Sequence, residues 1–332
     1  MLTTASFEAF ETYLERAVER LDESSPVRAM VRDHFAFDDP RAKRGKRLRP
    51  RILVAAAETE GANGEDAFAA AAAVELLHNF SLVHDDIEDR DELRHGRPTL
   101  WVQHGVPAAI TAGDAMCALC YVTLLDQPEH FGAQRVVAMT TCLHRTHFAL
   151  CGGQGADIGF ETSPAVTFDE YVRMIEGKTA ALFAASCELG ALCAGVSPAR
   201  AAAYGQMGRA YGLAFQIRDD VLGTWGTPAE TGKPAGADIR RRKWSFPVAW
   251  AFALRASADR TIVVNAYASI GELADARADE VIAALERLGA HGAADDACDE
   301  YIARAVAIGA EHDLDRDGRL AEIFSSTARR TV

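Results

Sequence analysis

Hydrophobic residues recur every three or four positions along most of this chain, and this spacing predicts α-helices. The helical segments are predicted at 7–21, 66–84, 107–125, 133–151, 168–194, 199–222, 245–255, 275–288 and 298–309. The apolar–polar alternation typical of strands is nearly absent, and its best candidate, TIVV at 261–264, lies inside a helix-like stretch. No internal repeat or linker divides the sequence. We therefore predict an all-α fold, a single domain over residues 1–332 with ten or more helices.

Two helix starts carry capping residues. Ser197 precedes Pro198, which fits an N-cap followed by proline at the first helical position. Thr167 and Glu170 have the spacing of a capping box, in which each side chain accepts a hydrogen bond from the other's backbone N–H. We expect helices to begin at these two points.

The composition is that of a soluble globular protein, with 49% hydrophobic and 25% charged residues. A net charge of −13 argues against nucleic acid as the main partner. The longest apolar stretch, 67–83, is interrupted by Glu75, His78 and Asn79, so a buried helix is expected there and no transmembrane segment. The amphipathic, partly acidic N-terminus does not resemble a signal peptide. Seven scattered cysteines indicate reduced thiols, and we expect a cytoplasmic protein.

Four short motifs lack the context that their usual function needs. The C-x-x-C pair at 117–120 has no second pair to complete a zinc site. The Gly-Lys-Thr at 177–179 lacks the preceding strand and first glycine of a phosphate-binding loop. The DLDRDG stretch at 313–318 has Phe324 where a calcium loop needs glutamate. HRTH at 144–147 lacks the glutamate and the spacing of a zinc protease.

The end of the predicted 66–84 helix carries a cluster of acids. Asp85 and Asp89 are four residues apart, so on a helix they share one face, about 6 Å apart at Cβ. The same face includes Ser81 and His78, whereas Asp86 points about 100° away. An acidic helix end in solvent would explain the cluster equally well if it stood alone.

A second acidic pair changes that interpretation. Asp219 and Asp220 follow Gln216 in FQIRDDVLG, which is another apolar helical stretch. Two Asp-rich segments that each emerge from a hydrophobic run are expected to form facing walls of one cavity. Carboxylate oxygens suit Mg²⁺, which commonly binds a substrate's phosphates as well.

Basic residues that could bind phosphate lie in short segments between residues 45 and 243. These are Lys46 and Arg49 in GKRLRP, Arg94 and His95 after the first acidic cluster, Lys178 in EGKTA, Lys233 in TGKPAGAD, and Lys243 at the end of RRRK. Acids for a metal, bases for phosphate and long apolar helices together indicate a diphosphate ester of a hydrocarbon as the substrate.

These segments resemble the trans-type isoprenyl diphosphate synthases, also called polyprenyl synthetases. The resemblance spans residues 40–250 approximately and rests on GKRLRP, LLHNFSLVHDDIED…LRHGRPT, GQGAD, EGKTA and FQIRDDVLG…TGKPAGAD in the family's order. It implies an isoprenoid synthase fold with a central active-site cavity, usually in a homodimer. It also implies three Mg²⁺ ions and head-to-tail condensation of isopentenyl diphosphate with an allylic diphosphate of the C5, C10 or C15 size.

The resemblance also assigns roles to individual residues. Asp85 and Asp89 would hold two Mg²⁺ ions and Asp219 the third, with Asp86 and Asp220 in support. The allylic diphosphate would be bound by Arg94, Lys178 and Lys233, and isopentenyl diphosphate by Lys46, Arg49 and His78. Thr179 and Gln216 would face the developing cation, and Gln154 and Asp157 match the family's GQxxD segment. His95 and Lys243 complete the candidate substrate-binding residues.

Two positions depart from the family's commonest pattern. His95 stands where a second arginine usually follows the first, and Gly223 stands where the second motif usually has a third aspartate. Product length in the family depends on bulk before the first Asp motif, which here means Leu77, Phe80 and Ser81. An aromatic residue five positions before Asp85 with a small one at four resembles geranylgeranyl diphosphate synthases, so we favour a C20 product over C15 or a longer chain.

Three other functions are compatible with parts of the pattern. A class I terpene cyclase also has an Asp-rich helix, but its second motif needs Ser or Thr where Gly223 stands, and it has no need of GKRLRP. A non-catalytic subunit that tunes an active synthase usually lacks one Asp motif, and both are present here. A helical protein that binds isoprenoids without chemistry would not need buried metal-binding carboxylates.

Overall fold

The computed structural model describes residues 4–39, 45–228 and 234–328. The first group of helices is α1 (Thr4–Val18), α2 (Pro26–Phe35), α3 (Leu48–Thr59), α4 (Phe68–Glu88), α5 (Leu100–His104), α6 (Val106–Leu125), α7 (Pro128–Phe131), α8 (Ala133–Phe160) and α9 (Phe168–Ile175). The second is α10 (Ala181–Cys193), α11 (Pro198–Trp225), α12 (Ala237–Arg240), α13 (Phe246–Ala253), α14 (Ala258–Tyr267), α15 (Asp275–Leu288), α16 (Ala290–Glu311) and α17 (Arg319–Ala328).

Three short elements complete the secondary structure of the described residues. A 3-10 helix, Gly64–Ala67, precedes α4, and a π-helix, Glu176–Ala180, joins α9 to α10. Strands β1 (Leu93–Arg94) and β2 (Arg97–Pro98) pair in antiparallel fashion as a two-residue hairpin. The all-α prediction with ten or more helices is confirmed.

Most predicted helices lie where the hydrophobic pattern placed them, and both predicted caps form. Thr167 and Glu170 make the reciprocal capping box at the start of α9, and the Arg200 N–H donates to the Ser197 hydroxyl at 3.3 Å. The segment predicted as one helix at 168–194 is interrupted by the π-helix, and α8 runs to Phe160 rather than ending at 151. The predicted segments omit α2, α3 and α17, although the start of α2 carries a Ser25–Pro26 signal like that at 197–198.

The chain packs as two compact units. Unit 1 comprises Met1–His147, Ala185–Gly205 and Leu314–Leu320, and unit 2 comprises Phe148–Ala184, Gln206–Asp313 and Ala321–Val332. The single-domain assignment over residues 1–332 stays a prediction.

In unit 1 the alanine-rich helix α4 lies in the core, with nearly every residue from Phe68 to Leu77 buried. It packs most extensively against α6, where a Cβ on Gly113 would lie 2.4 Å from the His84 ring. Gly113 therefore gives the end of α4 room to approach α6. The stretch Gly64–Glu88 is long and apolar enough to cross a membrane, as is Val106–Phe131, but 72% and 44% of their most apolar windows are buried within the protein.

The core of unit 2 is rich in aromatic residues. Tyr171, Trp244, Phe246 and Tyr267 are almost completely buried together with aliphatic side chains of α11, α13 and α15. The ring of Phe246 lies at an edge-on angle to those of Phe168 and Tyr171. The helix that carries the second Asp-rich segment, α11, packs into this core.

Candidate active site

The acidic end of α4 divides into exposed and buried carboxylates. Asp85 and Asp89 are partly exposed, and Asp89 caps the helix, its N–H donating to the Asp85 carbonyl at 2.8 Å. Asp86 is 2% exposed and accepts hydrogen bonds on Oδ1 from Arg94 Nε at 2.8 Å and Nη2 at 2.7 Å. Arg94 is therefore held by Asp86, while Asp85 and Asp89 lie on a more open face of the helix end.

The hairpin of β1 and β2 brings Arg94 back to the end of α4. His95 and Gly96 form its tip, with φ values of 53° and 80°, as the commonest two-residue hairpin turn requires. Desolvation and the positive charge of Arg94 lower the pKa of His95. The side chain lies exposed at the tip, where the lowered pKa makes it a weaker anion-binding group than an arginine would be.

Two of the three residues expected to bind isopentenyl diphosphate lie together. Arg49 Nη1, on α3, is 3.0 Å from His78 Nε2 on α4. Burial and the charge of Arg49 hold the pKa of His78 well below its ordinary value. The neutral imidazole therefore accepts a hydrogen bond from the Arg49 guanidinium. Lys46 is exposed just before α3.

Sequence reasoning missed Arg47, which lies between Lys46 and Arg49 in the sequence. Its side chain is buried and pairs with Glu11 at 2.7 Å and with Glu75 at 2.9 Å. Asn79 donates to Glu75 at 2.9 Å and its side-chain oxygen lies 2.9 Å from His34 Nε2. Arg47 thus anchors the GKRLRP segment to α1 and α4; the composition of the motif gave no indication of which arginine turns inward.

Of the three residues expected to limit product length, Leu77 and Phe80 are buried on α4 and Ser81 is partly exposed. Leu77 is fully buried, Phe80 is 9% exposed, and the Ser81 hydroxyl donates to the His78 carbonyl at 2.8 Å. The Phe80 ring is edge-on to His84, with centroids 4.8 Å apart, and to His147 at 5.2 Å.

His147 was one half of the HRTH motif, and its partners explain its position. Tyr121 OH lies 2.8 Å from His147 Nδ1, with Cys117 Sγ 3.8 Å from the same atom. His144 is exposed and edge-on to Tyr121. No group of three or more His, Cys, Asp or Glu side chains in the described part of the chain could hold a metal ion on its own.

In unit 2, EGKTA forms the π-helix, and three glycines explain the close packing around it. A Cβ on Gly153 of α8 would lie 2.1 Å from the Lys178 nitrogen, and one on Gly177 would lie 2.7 Å from the Ala149 oxygen. On the other side, a Cβ on Gly212 of α11 would lie 2.6 Å from Ala180 Cα. Single π turns occur frequently at functional sites, and this one places Lys178 and Thr179 between α8 and α11.

Lys178 and Thr179 each contact another candidate residue. Lys178 Nζ forms an ion pair with Asp157 Oδ2 at 2.5 Å, and the Thr179 hydroxyl donates to Gln216 Oε1 at 2.6 Å. The predicted GQxxD, EGKTA and FQIRDD segments are therefore neighbours within unit 2.

The paired aspartates of α11 have different environments. Asp219 is partly exposed. Asp220 is buried and accepts from Tyr171 OH at 2.6 Å, Gln216 Nε2 at 2.8 Å and the Phe246 N–H at 2.7 Å. Burial raises the pKa of Asp220 to about 7, against the opposing effect of these three donors.

The space beside Gly223 is occupied by another acid. A Cβ on Gly223 would lie 1.8 Å from Asp238 Oδ2, the carboxylate of an α12 residue. Where the family usually has a third aspartate, this chain has Gly223, and the carboxylate of Asp238 lies beside it. Lys243 is half-buried after α12, its N–H donating to the Asp238 carbonyl at 2.9 Å. Lys233 lies outside the described residues.

An all-α fold with two Asp-rich helix segments, each flanked by basic residues, offers side chains whose chemistry suits metal ions and diphosphates. The family of polyprenyl synthetases matches residues 36–285. The chain is 45% identical over 255 residues to a (2E,6E)-farnesyl diphosphate synthase of Mycobacterium bovis, covering 75% of this chain and 69% of that protein. It is 38% identical over 299 residues to a geranylgeranyl diphosphate synthase of Mycobacterium tuberculosis, covering 89% and 84%.

The fold is shared with a solved structure of the same kind. A polyprenyl synthetase from Streptomyces coelicolor matches with a TM-score of 0.85 and 32% identity, over 97% of each chain. The chain belongs to the polyprenyl synthetase family, the trans-type isoprenyl diphosphate synthases, and it is a prenyltransferase whose family uses Mg²⁺ and isopentenyl and allylic diphosphates.

Proposed function

We propose that this enzyme condenses isopentenyl diphosphate with allylic diphosphates head to tail and releases trans-geranylgeranyl diphosphate, the C20 product. The observation that carries the proposal is the arrangement on α4, where partly exposed Asp85 and Asp89 follow, on one continuous helix, the buried aromatic ring of Phe80. That Phe80 limits the growing hydrocarbon is what the resemblance to the family implies, because on an ideal helix its ring lies well off the face that carries Asp85.

Asp85, Asp89 and Asp219 would hold Mg²⁺, three ions as the resemblance implies, and the bound metal would supply positive charge for the leaving diphosphate. The carboxylate oxygens fit this ion, and the first two lie on the open face of the α4 end, while buried Asp86 is engaged with Arg94. The bound metal ions and the basic residues would together stabilise the charge that develops on the leaving group.

The protein's own groups would bind and orient both substrates. Arg94, which pairs with Asp86, Lys178, which pairs with Asp157, and Lys233 are the candidates for the allylic diphosphate. Arg49 and neutral His78 are candidates for the isopentenyl diphosphate.

The chemistry then follows from charge separation in an apolar site. The allylic C–O bond breaks and its electrons leave with the diphosphate, so an allylic cation forms. Thr179 and Gln216 would face that cation, while apolar helices exclude water that would trap it as an alcohol. The isopentenyl double bond attacks, and the proton lost from the adjacent carbon goes to the released diphosphate.

A C15 product is the second candidate, and the 45% identity to a farnesyl diphosphate synthase favours it. Phe80 and the small Ser81 favour C20 through the resemblance described above. We further propose that the enzyme acts as a cytoplasmic homodimer.

Steady-state elongation assays test the proposal. Purified enzyme with Mg²⁺, labelled isopentenyl diphosphate and an allylic primer should form an elongated, acid-labile product, and EDTA should abolish it. Asp85→Asn should lose at least about 100-fold in kcat, corresponding to about 2.7 kcal/mol, whereas Glu88→Gln, an exposed acid on the same helix end, should keep most activity. An absence of elongation with every primer would assign the chain to the non-catalytic subunits instead.

A further inference from the structure

A chain of hydrogen bonds in unit 2 connects a core tyrosine to two candidate catalytic residues. Tyr171 OH donates to Asp220 Oδ2 at 2.6 Å, and Gln216 Nε2 donates to Asp220 Oδ1 at 2.8 Å. The Thr179 hydroxyl then donates to Gln216 Oε1 at 2.6 Å. Tyr171 is fully buried and was not among the residues singled out in the sequence.

We propose that Tyr171 is a positioning residue for prenyl transfer: through Asp220 it fixes the side-chain amide of Gln216 with the oxygen toward Thr179. The inference rests on the proposed function, in which Thr179 and Gln216 face the allylic cation.

The orientation of the amide has an electrostatic consequence. The oxygen and nitrogen of glutamine are nearly isosteric, so shape alone does not choose between two orientations 180° apart. Asp220 accepts from two donors on Oδ2 and from Gln216 Nε2 on Oδ1, so its contacts select the orientation with the Gln216 nitrogen toward itself. The negative end of the amide dipole then lies with Thr179. A cation beside it is stabilised, whereas a flipped amide would present its positive end.

Tyr171 keeps Asp220 in the orientation that this selection needs. Oδ2 of Asp220 is fixed by two donors, the Tyr171 phenol and the Phe246 N–H at 2.7 Å, which leaves Oδ1 for Gln216. The phenol itself is held in the aromatic core beside Phe168 and Phe246. Removal of the phenol oxygen would leave a single donor on Oδ2 and free the carboxylate to rotate.

Tyr171→Phe tests the inference, and the chain supplies a matched control. Tyr204 is also fully buried and donates to a carboxylate, Glu60 Oε1, at 2.7 Å, but it lies in unit 1 and outside the candidate site. We expect Tyr171→Phe to lower kcat about tenfold, equivalent to about 1.4 kcal/mol, with KM for both diphosphates within about twofold. More of the allylic substrate should end as the alcohol. Tyr204→Phe should leave kcat within about twofold, even if it lowers the melting temperature as much as Tyr171→Phe does.

A double-mutant cycle separates positioning from general destabilisation. If Tyr171 acts through Gln216, Tyr171→Phe should have no further effect on kcat in a Gln216→Ala background. An undiminished tenfold loss in that background, or an unchanged kcat in the single variant, would overturn the inference. Should Tyr171→Phe not fold, Tyr171→Met, which also lacks the phenol oxygen, takes its place in the same cycle with the same expectation.

One further readout needs no turnover, so failure of the inference can be told from failure of the proposed function. The side-chain ¹H–¹⁵N signals of Gln216, assigned by their loss in Gln216→Ala, should show one proton protected from solvent exchange. Tyr171→Phe should remove that protection and Tyr204→Phe should keep it. Unchanged protection in Tyr171→Phe would refute the inference whether or not the enzyme elongates prenyl chains.

Discussion

Replacement of Arg47 by methionine should destabilise unit 1 strongly, because it leaves two carboxylates buried without their counter-charge. Arg47 is 5% exposed, Glu11 7% and Glu75 3%, so water cannot replace the lost partner. Removal of one member of such a buried ionic cluster typically costs about 3–5 kcal/mol. The hydrogen bond from Asn79 to Glu75 compensates little of this loss, since it donates to Glu75 alone.

Urea unfolding followed by circular dichroism would measure the effect, with the slope m checked because the two units need not unfold together. The matched control is Arg287→Met, whose arginine is 53% exposed and pairs with Asp259 at 2.7 Å; exposed pairs contribute about 0–1 kcal/mol. A loss below about 1 kcal/mol for Arg47→Met would refute the reasoning. Adding Glu11→Gln and Glu75→Gln to Arg47→Met should recover much of the stability, since no unpaired charge then remains buried.

Three further predictions concern Phe80, the glycine of the second motif and the partly buried His34. Phe80→Ala should shift the product distribution toward longer chains on chromatographic sizing. Phe68→Ala removes a similarly buried ring elsewhere in unit 1, so it should lower stability and leave product length unchanged. Gly223→Ala should lower the free energy of unfolding by about 1–3 kcal/mol, because the added Cβ would displace the Asp238 carboxylate, and Asp238→Ala in the same chain should remove most of that loss. Burial and neighbouring arginines lower the pKa of His34 to about 4, against the hydrogen bond with Asn79, which raises it; because this is below the unfolded value of about 6.5, the stabilisation is present above pH 6.5 and is lost as pH falls toward 4. Unfolding at pH 7 and 4.5 should therefore show about 2–3 kcal/mol more loss in the wild type than in His34→Gln, and equal losses would contradict the assignment.

Local patterns predicted the secondary structure well because each helix carries its own signals. The period of apolar residues located α4 and α11, and the Thr167 box located α9 to the residue. The π-helix was not predictable from periodicity, since it depends on how closely Gly153 and Gly212 let neighbouring helices approach.

The candidate site was predicted as a set of residues rather than as an arrangement. Motif order identified Thr179, Gln216 and Asp220, but their hydrogen bonds join positions up to 49 residues apart, as Tyr171 to Asp220 does. Spacing along one helix carries no information on such pairs. The same holds for Asp238. Its carboxylate can approach α11 because position 223 is a glycine, which in the sequence looked only like the loss of an acid.

Product length measured from a defined primer tests the central claim most directly. Purified enzyme should be incubated with Mg²⁺, labelled isopentenyl diphosphate in excess and, separately, the C5, C10 and C15 allylic diphosphates, and the dephosphorylated products sized. The account predicts that all three primers are extended and that products accumulate at C20. Accumulation at C15, with the C15 primer left unextended, would contradict the chain-length proposal, and no extension of any primer would contradict prenyl transfer itself.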